Sequence, residues 1–121
     1  KENIMAKNTN TYSWNCRIVD CYPNFEEWSD VVYNIHWTYT ATSSTKDEHD
    51  NPYTATIIGT QTKSTDDITD FIPFEDLDNE IVTGWTTDSM GEDRVQAYKD
   101  SLDNQIADKI TPQSITLTVK E

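Results

Sequence analysis

Apolar and polar residues alternate with a period of two in three stretches of the chain, residues 12–19, 31–41 and 53–61. This period is typical of β-strands that bury one face and expose the other. The middle stretch has the cleanest alternation and is predicted to be the central strand. Its predicted buried face consists of Val31, Tyr33, Ile35, Trp37 and Tyr39. Polar loops at 42–52 and 63–70 separate the strands, so the pattern predicts a three-stranded antiparallel β-meander.

The connections between these strands contain turn-forming residues. The run Cys21-Tyr22-Pro23-Asn24 is predicted to end the first strand, and Phe25 to Trp28 is predicted to form a helical turn. Gly59, inside the third strand, indicates a possible β-bulge. The apolar run Phe71-Ile72-Pro73-Phe74 predicts a crossover that packs back onto the sheet.

Two amphipathic helices are predicted after the meander. Asp78 is a good N-cap with Leu77 before it, and Gly91 stands where a helix C-terminus favours glycine. The second helix is predicted from Glu92 to Lys109, before Thr111-Pro112. Gly84, inside the first helix, costs about 1 kcal/mol relative to Ala. It therefore predicts a close approach between this helix and a neighbouring element.

These elements predict an α+β fold, in which the three-stranded meander packs against two C-terminal helices. Residues 1–11, polar from Lys7 to Thr11, are predicted to be a flexible N-terminal arm, in which Met5-Ala6 resembles an initiator site. Residues 12–112 form the predicted domain. Residues 113–121 form a terminal strand or tail, in which Ile115, Leu117 and Val119 alternate with polar residues.

The charge of the chain limits its partners. It has 22 acidic and 9 basic residues among 121, a formal net charge of -13. This balance disfavours nucleic acid and anionic membrane, because phosphate contacts need clusters of Lys and Arg. No apolar run approaches the ~18 residues of a membrane span, and the first ten residues lack the apolar stretch of a signal peptide.

The two cysteines, Cys16 and Cys21, are predicted to be reduced thiols. In one extended segment their Cα atoms would lie roughly 16 Å apart and point to opposite faces. A disulfide requires less than about 7 Å. Their spacing also differs from that of zinc-binding Cys pairs, so no metal site is predicted from them.

Three groups of residues are candidates for a site. Acidic residues in two loops, Asp47, Glu48, Asp50, Asp66, Asp67 and Asp70 together with His49, have the oxygen ligands that Ca²⁺ prefers, but a solvated acidic surface explains them better. His36 falls on the polar face of the second strand and is predicted to be a surface or interface residue. The third group consists of the aromatic residues Trp37, Trp85 and Tyr98. They could line a carbohydrate site, but their strand and helix spacing favours the core. No catalytic, cofactor-binding or metal-binding residues are predicted.

Several motifs occur in a distinctive order: Ile35-His36-Trp37, Gly59-Thr60-Gln61, Phe71 to Leu77, Val82-Thr83-Gly84-Trp85, Met90-Gly91-Glu92, and Gln105-Ile106 through to Pro112. In this order the chain resembles a family of small, functionally uncharacterised proteins encoded by tailed bacteriophages. That family often finishes with a Pro-Trp pair after the last Pro, whereas this chain continues to its end as SITLTVKE. The resemblance implies a phage origin and no particular activity.

Two function classes follow from these observations. The first is a bacteriophage virion structural or accessory protein, a capsid decoration protein or a head, neck or tail subunit, made in the host cytoplasm and located in the virion. It would assemble with other virion proteins or with itself, through Ile115, Leu117 and Val119 and through His36. The alternative is a soluble acidic phage effector that binds and inhibits a host protein. No enzymatic activity and no cofactor is predicted.

Overall fold

The fold is a three-stranded antiparallel sheet followed by two helices, as the sequence predicts. In the computed structural model, which describes residues 7–66, 68, 71–112 and 116–120, the strands are β1 (Asn10–Phe25), β2 (Trp28–Lys46) and β3 (Pro52–Thr62). Their order in the sheet is β1-β2-β3, so β2 is central. A short 3-10 helix (Phe74–Asp76) precedes α1 (Asn79–Met90) and α2 (Glu92–Ile110).

The strands extend beyond their predicted ends. β1 continues through the predicted break at Cys21–Asn24, and a two-residue turn at Glu26 and Glu27 joins it to β2. The predicted helical turn at Phe25–Trp28 is therefore wrong, because Phe25 and Trp28 are paired across the ladder. Pro23 is tolerated because β1 is an edge strand and Pro23 has no partner in the β1–β2 register, so its missing N–H removes no ladder hydrogen bond. β2 likewise extends to Lys46, inside the segment predicted as a loop.

Two irregularities in the β1–β2 register change which residues face the helices. One lies between Asn15 and Ile18, and the other between Asp20 and Cys21. An extra residue in one strand reverses the side-chain alternation beyond it. Consequently Val32 joins the core with Ile35, while Val31 is buried as predicted, at 4% exposed. Tyr33 is only half-buried, and Ile18 is 69% exposed.

At the two ends of the chain, residues 7–11 of the predicted arm and residues 116–120 of the predicted strand are described, whereas residues 1–6 and 113–115 are not. β1 begins at Asn10, and Thr9 is held to β2 by a hydrogen bond that its carbonyl accepts from the Ser44 N–H, 2.8 Å. The described part of the predicted arm is therefore attached to the sheet from about residue 8. Residues 116–120 form no strand in the structure, and Ile115 lies outside the described residues. The predicted terminal strand is thus not formed within the described part of the chain.

The core lies between one face of the sheet and the two helices. α1 packs mainly on β1, and α2 on β2 and β3. Buried residues from both layers form one cluster: Cys16, Val32, Ile35, Trp37, Tyr39, Ala41, Ala55, Val82, Leu102 and Ile106. Aromatic rings extend it, because Trp14 stacks on Tyr39 at 4.0 Å between centroids and Trp37 contacts Tyr98 at 5.1 Å. The prediction that Trp37 and Tyr39 are core residues is confirmed, since each is 2% exposed.

The helix boundaries were predicted well because their signals are local. The Asp78 side chain accepts a hydrogen bond from the Ile81 N–H at 2.9 Å and caps α1. Gly91 ends α1 with φ of 85°, a backbone conformation that favours glycine. None of the helices in the described part of the chain is long and apolar enough to cross a membrane.

Two glycines have roles other than those predicted. Gly59 lies directly opposite Trp37 in an unbroken stretch of the β2–β3 register, so the predicted bulge is absent from it. A Cβ there would lie 2.5 Å from the Trp37 ring. Gly84 has the opposite environment, with nothing within 4 Å of a Cβ added to it. The close approach predicted for Gly84 is therefore wrong.

Candidate interaction surface

The sheet face opposite the helices, here called the outer face, is open to solvent and rich in β-hydroxyl side chains. The register places Asn15 on it together with these Thr and Ser residues: Thr11, Ser13, Thr38, Thr40, Thr42, Thr54, Thr56 and Thr60. The hydroxyls of Thr40 and Thr56 are 2.9 Å apart across β2 and β3. Ile18 and Ile58 also project from this face, 69% and 79% exposed. The outer face is thus nearly uncharged in a protein of net charge -13.

His36 lies on the outer face, as predicted from its position in the alternation. Its Nε2 is 2.7 Å from an Asp20 oxygen that also accepts a hydrogen bond from the Asn34 amide at 3.0 Å. These hydrogen bonds, first that from Asn34 and then that from His36, lower the pKa of Asp20. The group is a polar contact between β1 and β2, and both partners of the pair are more than 40% exposed. It stands on the open outer face of the sheet.

The turn end of the β1–β2 hairpin extends past β3. The last β2–β3 pair is Asn34 with Thr62, and directly beyond it the Lys63 N–H donates to the Tyr33 carbonyl at 2.9 Å. Residues 21–33 of β1 and β2 form a two-stranded arm, here called the hairpin arm. On it the Tyr22 ring stacks on Tyr33 at 4.3 Å between centroids and on Phe25 at 5.7 Å. Tyr22 remains 40% exposed. The sequence predicted a strand end at Cys21–Asn24 and a helical turn at Phe25–Trp28 in place of this arm. The aromatic residues on both sides of the Glu26-Glu27 pair were the available signal.

Helix side chains cover part of each edge of the sheet. On the β1 edge, the Asn79 amide oxygen accepts from the Cys16 N–H at 2.7 Å, and its NH₂ group donates to the Trp14 carbonyl at 3.0 Å. On the β3 edge, the Lys109 ammonium donates to the Thr54 carbonyl. Unpaired edge groups recruit strands from other chains, so these contacts protect the middle of both edges.

The segment after α2 exposes two of the predicted interface residues. Leu117 is 78% exposed and Val119 is 88% exposed. Ile115, the third residue of that alternation, lies outside the described residues. His36 belongs to the middle of β2, so the predicted interface residues come from two separate elements.

The aromatic candidates for a carbohydrate site lie in the core or near it. Trp37 is 2% exposed and contacts Tyr98. Trp85 is half-buried and lines a cavity of about 170 Å³ with Val32, Phe71, Ile72 and Leu77. The Lys63 ammonium lies 4.6 Å from the centre of the Trp85 ring. Because Trp37 is buried between the sheet and the helices, the rings of Trp37, Trp85 and Tyr98 do not form one solvent-accessible surface that a sugar could stack on.

Within the described residues, no group of three or more His, Cys, Asp and Glu side chains is placed to hold a metal ion. The Asp47 carboxylate instead accepts hydrogen bonds from the N–H groups of His49 and Asn51, which organises the β2–β3 loop. Asp67 and Asp70 lie outside the described residues. Both cysteines are free thiols, as predicted, and burial raises the pKa of Cys21.

The fold and these surfaces define an acidic α+β protein with an open sheet face, a protruding hairpin and an exposed apolar C-terminal segment. The chain matches a family model described as "Domain of unknown function (DUF7936)" over residues 9–120. The match covers nearly the whole chain, so the protein belongs to this family. No curated protein and no solved structure matches the chain.

Proposed function

We propose that this protein is a structural or accessory subunit of a bacteriophage virion and acts through protein–protein contacts. The observation that carries the proposal is the exposed apolar segment after α2, where Leu117 and Val119 are more than three-quarters exposed. Side chains of this kind in an otherwise acidic chain suit a segment that is buried by a partner. The resemblance of the sequence motifs to proteins of tailed bacteriophages supports the phage setting.

The sheet also supports an assembly role. Its outer face is open. Asn79 covers part of the β1 edge and Lys109 covers part of the β3 edge, and both edge strands continue beyond these contacts. A segment with alternating apolar residues, such as the one containing Leu117 and Val119, suits addition to the sheet of a neighbouring subunit. Other virion proteins, and a second copy of this chain, are the proposed partners.

Mass spectrometry of purified virions from the encoding phage tests the proposal. The expected result is that the protein is present at many copies per particle, and that a Leu117→Ser, Val119→Ser variant is depleted from particles. An Ile58→Ser variant, which changes an exposed isoleucine elsewhere, is the matched control and should be incorporated normally. Absence of the unchanged protein from virions would end the proposal.

The net charge of -13 favours one other function, an acidic phage effector that binds and inhibits a host protein. Affinity purification of the tagged protein from infected cells distinguishes the two. Recovery of one host protein in equimolar amounts, without virion proteins, would favour the effector.

A further inference from the structure

We propose that the hairpin arm is a docking site for a basic, arginine-rich segment of a partner protein. The inference rests on the proposed assembly role and specifies the chemistry of the partner. Two observations carry it, a stack of three aromatic rings on the arm, of which Tyr22 is exposed and Phe25 and Tyr33 are half-buried, and several carboxylates in the same stretch of chain.

The centre of the docking surface is aromatic. Tyr22 lies between Tyr33 and Phe25, with centroid distances of 4.3 and 5.7 Å, and is 40% exposed. Ile18 continues this surface along β1 and is 69% exposed. Exposed tyrosines held by neighbouring rings lose little conformational freedom on binding, and Tyr is among the residues that dominate binding energy at protein interfaces.

The rim of the surface is acidic. Residues 18–33 contain Asp20, Glu26, Glu27 and Asp30, and no Lys or Arg. Asp30 also lines the cavity beneath the arm, and Arg17 directly precedes this stretch. A partner that covers the tyrosines therefore brings its own groups close to several carboxylates. Arginine satisfies both parts of the surface, because its planar guanidinium stacks on aromatic rings and pairs with carboxylates through two parallel hydrogen bonds.

The arm is supported from its other side. Trp28, across the ladder from Phe25, contacts Phe71 at 5.6 Å between ring centroids. Val31 and Val32 line a cavity with Phe71, Leu77 and Trp85, so the segment from Phe71 to Leu77 and α1 pack beneath the arm. The aromatic side chains are thus presented on a supported ribbon, which suits a binding surface.

Charge argues against a second copy of the chain as the occupant. Each copy has a net charge of -13, and the arm has only acidic charges between residues 18 and 33. Two such arms in contact would repel each other, whereas a basic segment would be attracted to the arm and would associate with it faster.

The experiment is a titration of the isotope-labelled protein with a synthetic arginine–serine repeat peptide, followed by NMR, with affinities from calorimetry. The expected result is that amide shifts concentrate in residues 18–33. A lysine–serine repeat peptide should bind several-fold more weakly, because lysine lacks the planar, forked guanidinium. Shifts spread over the acidic helices, or equal affinity for both peptides, would overturn the proposal.

Two variants with the same change in charge separate a specific site from general attraction. Glu26→Gln, Glu27→Gln, Asp30→Asn removes three charges from the arm, and Asp88→Asn, Glu92→Gln, Asp93→Asn removes three exposed charges from the helices. The arm variant should lose about tenfold in affinity, which is about 1.4 kcal/mol. The helix variant should lose no more than about twofold, a change within the range of exposed ion pairs. Equal losses in the two variants would show that only net charge matters.

A Tyr22→Leu variant tests the aromatic part, because leucine retains apolar bulk and removes the ring. It should weaken the arginine peptide about fivefold to tenfold, a loss comparable to a cation–π contact of ~1 kcal/mol, and leave the lysine peptide less affected. The proposal is overturned if Tyr22→Leu changes the oligomeric state and leaves peptide affinity unchanged, since the arm would then contact a second copy. Absence of the protein from virions would end the proposed function and leave the peptide result standing.

Discussion

Trp37 and Gly59 face each other across β2 and β3, and the indole occupies the space where a side chain of residue 59 would lie. We predict that Gly59→Ala destabilises the protein by about 1–3 kcal/mol, because the new methyl would overpack a buried ring at 2.5 Å. The change should be measured as a lower midpoint of urea unfolding. An unchanged midpoint would show that the ring moves away without cost.

Gly84 provides the matched glycine substitution in an open environment. No atom lies within 4 Å of a Cβ built at this residue, and the residue is inside α1. We predict that Gly84→Ala stabilises the protein by about 1 kcal/mol, the difference in helix propensity between the two residues. The same urea experiment checks it, and a loss of stability would reveal a contact that the structure does not contain.

Asp20 gives the protein a pH-dependent contribution to stability. Hydrogen bonds from Asn34 and His36 lower the pKa of its carboxyl group in the folded state. A lowered folded-state pKa stabilises the protein above the ordinary carboxyl pKa, and this stabilisation disappears as the pH falls through the folded-state value. The difference in unfolding free energy between the wild type and Asp20→Asn should therefore be present at neutral pH and shrink in acid. A difference independent of pH between 7 and about 3 would contradict this assignment.

At the scale of the elements, Asn79 links α1 to the exposed edge of β1. It makes two hydrogen bonds to the strand backbone, at Cys16 and Trp14, and so occupies edge positions that another strand would use. We predict that Asn79→Ala costs about 1–3 kcal/mol, roughly the value of two such bonds. It should also increase self-association, because the β1 edge is opened.

Two measurements check the role of Asn79, thermal unfolding and light scattering at increasing concentration. Asn79→Asp is the graded control, since it keeps the acceptor for the Cys16 N–H and loses the donor to Trp14. Its stability should fall between those of the wild type and the alanine variant. Asn104→Ala, an exposed change on α2, should alter neither measurement.

The elements that were predicted correctly are those with local signals. Alternation in residues 31–41 located the middle of β2, and Asp78 and Gly91 located the ends of α1, because strand period and helix capping depend on neighbours in sequence. The hairpin arm was missed, because the pairing of Phe25 with Trp28 is a cross-strand contact and Pro23 locally indicates a break. The exposure of Ile18 followed from a register irregularity, which only the partner strand determines.

On the candidate surfaces, too, the features that were predicted correctly depend on local sequence, and those that were missed depend on tertiary contacts. His36 was assigned to the polar face correctly, because alternation alone gives the face of a residue. Its pairing with Asp20 and the cover that Asn79 gives to β1 depend on tertiary contacts between residues distant in sequence. The prediction for Gly84 was wrong because the low helix propensity of glycine shows only that the residue destabilises α1. It does not show that a neighbouring element requires a glycine there.

For the whole molecule, the two-layer arrangement separates residues that stabilise the fold from residues free to contact a partner. Leu102 and Ile106 on α2 are fully buried in the core, while Leu117 and Val119, beyond α2, are 78% and 88% exposed. Burial of apolar area is the main stabilising contribution, so similar side chains in these two places should contribute very differently to stability.

We predict that Leu102→Ala lowers the free energy of unfolding by about 2–5 kcal/mol, whereas Leu117→Ser with Val119→Ser changes it by less than about 0.5 kcal/mol. Urea unfolding followed by tryptophan fluorescence measures both, since Trp37 and Trp14 lie in the same aromatic cluster. A loss in the Leu117, Val119 variant as large as that in Leu102→Ala would mean that the segment after α2 packs on its own domain. An unchanged stability, combined with depletion of this variant from virions, would show that these side chains act in contacts with other molecules.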